Sequence, residues 1–154
     1  MKKIKLAHAA LIIWAVTIAV FIWFYARGSA PAGVDDRTVI VLRPEERAVV
    51  LSEMRGLLAA TQGIMKGASQ NDIPRIIAAA RAAGMVGMAD VNMALMSKLP
   101  PEFKTVGMGI HSDMDNIATA ATEGKTASEL LKMTSDTVTK CVACHAVWQI
   151  KSSD

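Results

Sequence analysis

Both cysteines of the chain stand in one pentapeptide, Cys141-Val142-Ala143-Cys144-His145. On a helix, positions 141, 144 and 145 share a face, so two sulfurs and one imidazole converge on one neighbour. That spacing is the attachment pattern of haem c. The cysteines bond one edge of the porphyrin as thioethers, and the histidine reaches the iron. Three other uses of such a pair were weighed. A thioredoxin-like redox pair expects a βαβ setting, which the sequence lacks. A structural disulfide is the alternative in an exported chain. A zinc site needs a further ligand, and beyond the N-terminal segment only His111 is available. The expectation is one covalent haem c on Cys141 and Cys144, with His145 as an iron ligand.

The elements that must position this motif follow from hydrophobic spacing. Thr126-Ala127-Ser128-Glu129 is a capping box, and Leu130, Leu131, Thr134, Val138, Cys141, His145 and Trp148 then recur on one face of a last helix. Upstream, Pro44-Glu45-Glu46 opens a helix over 44–66, since proline and carboxylates both suit a helix N-terminus. Its inner face is Val50, Met54, Leu57, Leu58, Thr61, Ile64 and Met65. Asn71 or Asp72 caps a second helix reaching about residue 98, with Pro74 in its first turn. Along it, Ala80, Gly84 and Gly87 admit either tight helix packing or the close approach of a flat ligand. Pro100-Pro101-Glu102 starts a third, lined by Phe103, Gly107, Ile110, Met114, Ile117 and Ala121 and stopping near Gly124. Four amphipathic helices joined by short polar turns predict an all-α fold, an antiparallel up-down-up-down four-helix bundle over 44–154.

Residues 1–27 read as a transmembrane anchor. Residues 6–26 contain no Asp, Glu, Lys or Arg, a length that spans a bilayer core, and three lysines precede them. The positive-inside rule then keeps the N-terminus cytoplasmic and sends the domain across the membrane. A cleaved signal peptide is the alternative, with Ala30-Pro31-Ala32 as its small-residue cutting site. Either outcome exports the domain. Residues 28–43 read as a linker or a loosely packed, strand-like lead-in. Of the seventeen Lys and Arg residues four lie in the first 27, leaving thirteen against fourteen Asp and Glu, so the domain has no basic excess for nucleic acid.

A haem motif at the end of a four-helix bundle resembles the class II c-type cytochromes, cytochrome c prime and cytochrome c-556, over roughly residues 44–150. The resemblance rests on Cys141-Val142-Ala143-Cys144-His145 and the helix pattern. It implies that His145 is the proximal ligand and that a first-helix residue fills the distal side. A methionine there implies a six-coordinate electron carrier; leucine or phenylalanine implies an open iron. Met54 is the leading distal candidate, with His111, Met65, or an open site beside Leu51 as alternatives. The family's arginine four residues after the haem histidine is replaced by Gln149, with Lys151 beyond. Arg47 and Arg55 flank the same first helix and suit haem propionates, because guanidinium pairs bidentately with carboxylate. Trp148 is expected against the porphyrin or a neighbouring helix.

The function expected from this reading is single-electron transfer between redox partner proteins by a monohaem cytochrome, held by one span in the inner membrane with its haem domain in the periplasm. The alternatives are a cytochrome c prime-like protein that binds nitric oxide or carbon monoxide, or a fixed haem subunit of a larger respiratory or photosynthetic membrane complex. A homodimer is compatible with each. No catalytic triad, carboxylate pair or phosphate loop is visible, so no enzyme is expected.

Overall fold

The computed structural model describes the backbone of residues 2–27, 36–88 and 92–153, and divides the chain into two compact units, Met1–Asp35 and Asp36–Asp154. In the first, α1 spans Lys2–Arg27. Its described side chains, residues 7–22, are all exposed, and Thr17 Oγ1 donates back to the Ile13 carbonyl at 2.9 Å. Among the described residues no helix is long and apolar enough to cross a membrane. The expected cleavage site at Ala30-Pro31-Ala32 lies outside the described residues.

The second unit is mostly helical among its described residues, as the all-α expectation requires. It begins earlier than the sequence pattern implied. Residues 38–42, within the stretch read as a linker or a loosely packed, strand-like lead-in, form β1 (Thr38–Leu42), and its alternate side chains Ile40 and Leu42 are buried. Then come α2 (Pro44–Ser69), α3 (Ile73–Ala82), a 3-10 turn over Met85–Met88, α4 (Met93–Lys98), α5 (Pro101–Thr122), α6 (Ala127–Val147) and β2 (Trp148–Ser152). β2 pairs in parallel with β1, Thr38 opposite Trp148 and Leu42 opposite Ser152. A parallel pair cannot be closed by a hairpin. Here the whole helical layer forms the crossover.

Helix starts follow local chemistry. Asp72 Oδ1 accepts the Arg75 N–H at 3.0 Å and caps α3. At α6 the capping box forms as expected, Thr126 Oγ1 accepting from the Glu129 N–H at 3.3 Å while Glu129 Oε2 accepts the Thr126 N–H at 2.9 Å. Gly124, with φ +88°, ends α5 in the left-handed region that glycine tolerates.

The long second helix predicted to residue 98 is instead broken into α3, the 3-10 turn and α4. The break falls at Gly84, where an added Cβ would sit 1.9 Å from Asp115 Oδ1. The other oxygen, Asp115 Oδ2, accepts the Met85 N–H at 2.9 Å, so α5 holds the turn in place. Gly84 and Gly87 thus serve tight backbone packing rather than a flat ligand.

Helices α2, α3, α5 and α6 touch in a closed circuit, with α2 against both α3 and α6. The main core joins Ile64, Ile76, Met114, Ile117 and Leu130, none more than 1 % exposed. A second cluster gathers Ile40, Leu42, Val50, Leu95, Leu99 and Phe103, with Met54, Cys144 and Trp148 packed on it. That cluster ties the strand pair to the end of α6.

Glu46 is the buried charge of the domain's start. Its carboxylate accepts from Arg43 Nη2 at 2.9 Å, Lys98 Nζ at 2.6 Å and the Arg43 N–H at 3.0 Å. The Arg43 and Lys98 side-chain bonds, then the Arg43 backbone bond, hold the carboxyl down at about 2, against an ordinary value of 4.5. A folded-state value below the unfolded one stabilises above the unfolded value, and that stability is lost as pH falls through the folded value. Between pH 4.5 and about 2 the wild-type protein therefore loses stability that Glu46→Gln does not have to lose. Urea midpoints by circular dichroism across that window should fall steeply for wild type and more gently for the variant. Parallel curves would show that this carboxylate does not contribute.

Candidate haem attachment site

Residues 127–147 form one uninterrupted helix, so Cys141, Cys144 and His145 share a face of α6 as their spacing requires. Lys140 Nζ reaches Asp113 Oδ2 at 2.6 Å and pins this stretch to α5. Both cysteines are half-buried thiols, and His145 is exposed with its imidazole free of hydrogen bonds to described residues. Burial raises the Cys141 thiol above its ordinary value against a smaller backbone hydrogen bond that lowers it, and the Asp113 carboxylate pushes further up. Burial raises Cys144 as well, with Cys141 adding to it. Neutral thiols are poor redox nucleophiles and poor metal ligands. Among the described residues no group of three or more His, Cys, Asp or Glu side chains could hold a bare metal ion.

The motif borders a cavity of about 790 Å³, walled by α2, α4, α5 and α6. Its lining is almost wholly apolar and includes Cys141, Cys144 and His145. Cofactor pockets run at about 300–1,000 Å³ with few polar groups. The residues present therefore fit a haem: thiols and an imidazole on one wall, and aliphatic side chains from α2, α4 and α5 around the remaining space. Leu58 is 70 % exposed although it belongs to the predicted inner face of α2, because it faces this cavity.

No protein-family model, curated protein or solved structure matches the chain. The resemblance to class II c-type cytochromes rests on the motif and the helix pattern.

The structure sorts the other expected site residues. Met54, Leu51, Arg55 and His111 line the cavity together with the motif. Met65 does not, and is 55 % exposed elsewhere on α2. Arg47 is also absent from the lining. Its Nε donates to the Ile150 carbonyl at 3.4 Å, which ties α2 to β2. Trp148 lies on β2 instead of the last helical turn, edge-on to Phe103 with ring centroids 6.2 Å apart. It packs on the neighbouring helix, which was one of its two expected positions.

Two residues escaped the sequence reading. Lys104 joins Arg55 as the second lysine or arginine of the cavity wall. The interval of three to Gly107 on the predicted α5 face was its only signal. Arg37 Nη1 donates to the His145 carbonyl at 3.3 Å, and Gln149 Nε2 donates to the Arg37 carbonyl at 3.1 Å. A cation beside the His145 carbonyl is thus supplied by the residue just before β1, where the resemblance implies an arginine at the position of Gln149. No local signal could have found it, because it is 108 residues from its partner.

Proposed function

We propose that this chain is a membrane-anchored monohaem c-type cytochrome that passes single electrons between redox partner proteins in the periplasm. One observation carries the reading: a Cys-x-x-Cys-His motif on a continuous helix borders an apolar cavity of haem size. Cys141 and Cys144 would hold the porphyrin through thioethers, and His145 would supply an imidazole to the iron. Haem iron, when bound, supplies one-electron redox chemistry. Arg55 and Lys104 give the cavity two cations suited to propionate carboxylates. The aliphatic lining would give a bound haem a largely apolar setting, which is one determinant of its potential. An antiparallel four-helix bundle of the class II cytochrome kind accommodates the closed circuit of helix contacts. A fixed place in a larger respiratory or photosynthetic complex is compatible with the same tether.

The anchor part of the reading rests on residues 6–26, which carry no Asp, Glu, Lys or Arg, within the helix Lys2–Arg27. The gas-binding alternative draws on Leu51, an aliphatic cavity residue of α2.

Two measurements on full-length protein made in a host with haem c ligation machinery test the proposal. A pyridine haemochrome assay should return one haem per chain, and stopped-flow mixing with a small redox mediator should give reversible oxidation and reduction. A chain without haem c ends the reading. Rapid carbon monoxide binding to the reduced protein at low ligand concentration would favour gas binding over electron transfer. The haem should sediment with carbonate-washed membranes. A soluble product beginning at Gly33 would reject the anchor.

A further inference from the structure

The cavity wall contains one buried histidine with a ring nitrogen that no described residue bonds. His111, on α5, is 5 % exposed. Its Nδ1 lies 2.8 Å from the Ala83 carbonyl. A carbonyl oxygen only accepts, so Nδ1 carries the proton, and Nε2 of the neutral ring is left with a bare lone pair. Among the described residues no other group bonds to Nε2. Yet no buried side-chain nitrogen or oxygen in the described part lacks a partner. Nε2 is therefore open to a space the protein does not fill.

His111 borders two such spaces, the 790 Å³ cavity and a pocket of about 30 Å³ lined by Ala82, Ala83 and Gly87 among others. The two nitrogens of an imidazole point to nearly opposite sides of the ring. Nδ1 faces Ala83, and with it the wall of the small pocket. The small pocket shares Glu53 and Leu57 with the large cavity, so with Nδ1 engaged at Ala83, Nε2 is the ring nitrogen left to meet a ligand in the cavity on whose lining Met54, Cys141 and His145 also lie.

Resting on the haem reading above, we infer that His111 Nε2 is the second axial ligand of the iron, opposite His145, so that the centre is bis-histidine. A metal-bound histidine is held in tautomer and orientation by donating its other N–H to a carbonyl, and His111 has that arrangement in place. Met54 has no comparable fixing. Its flexible thioether is packed on the apolar cluster of Leu95, Leu99 and Phe103, where methionine serves as filler. The ligand thus comes from α5 rather than from the first helix of the domain. The Ala83 carbonyl at the end of α3 acts through the imidazole as a positioning group.

The test is spectroscopic and uses the full-length haem protein. Electron paramagnetic resonance and near-infrared magnetic circular dichroism of the ferric form separate bis-imidazole, imidazole–thioether and high-spin iron, without any substitution. Wild type should give the bis-imidazole signature. His111→Ala should become high-spin and bind carbon monoxide when reduced, and His111→Met should move to the thioether signature with a higher reduction potential. Met54→Ala should leave the wild-type spectra in place. A thioether or high-spin signature in wild type, or unchanged spectra in His111→Ala, overturns the inference and leaves the haem reading standing. Absence of haem from the wild-type protein overturns both.

Discussion

On the haem c proposal, replacing Cys141 and Cys144 together by alanine should abolish covalently held haem, and replacing either alone should leave a single-thioether product at reduced yield. Attachment adds each thiol across a vinyl group of the porphyrin. The sulfur bonds to one vinyl carbon and the proton goes to the other, with no external oxidant. Both thiols suit that addition, because they stand on one face of α6 at the cavity wall. The substitutions should spare the fold. Both side chains are only half-buried, and the main core around Ile64, Ile76 and Leu130 does not include them. Losing a few contacts of a half-buried side chain costs about 1 kcal/mol or less. The measurement is denaturing electrophoresis with haem staining, backed by intact mass, with far-ultraviolet circular dichroism as the control. A double variant that keeps the mass of a haem would refute the attachment.

The second large effect is on the iron. His145→Gly retains both thioether sites but removes the proximal imidazole, so low-spin iron should be lost from the bound haem. The haem content of the preparation should also drop, by about tenfold or more, the low end of the effect seen when even supporting residues of a metal site are removed. Free imidazole added to the variant should restore the low-spin spectrum, because the ring it replaces was exposed and the vacated position stays open to solvent. Recovery with imidazole separates a lost ligand from a lost fold. A His145→Gly protein with wild-type spectra would show that another side chain is the ligand on that face.

Arg37 and the strand pair bear on both results. The end of α6 is closed by the Trp148 N–H donating to the Cys144 carbonyl and by the Arg37 guanidinium on the His145 carbonyl. The backbone of the motif is thereby held from both sides of the domain's crossover. Second-layer contacts of this kind fix the direction of a ligand more than they add stability.

Local chemistry made much of this protein legible in its sequence. The capping box at Thr126, proline and carboxylates at 44–46 and the turn at Gly124 act within a few residues, so α2, α5 and α6 begin or end where they were expected. The spacing of Cys141, Cys144 and His145 likewise needs only a helix to bring them onto one face. What the sequence could not contain was the outcome of contacts between distant segments. β2 is a short run with three polar residues whose partner strand lies 110 residues away, and it becomes a strand because Ile40 and Leu42 bury against the α4 and α5 cluster. The second helix breaks at Gly84 because Asp115, on another helix, occupies the space a side chain there would need. The same holds at the motif with which the sequence begins its argument. One helical face presents the two sulfurs and the imidazole, but only tertiary packing opens a cavity beside them, bonds Arg47 to β2, and fixes His111 by its Ala83 bond with its other ring nitrogen unbonded among the described residues.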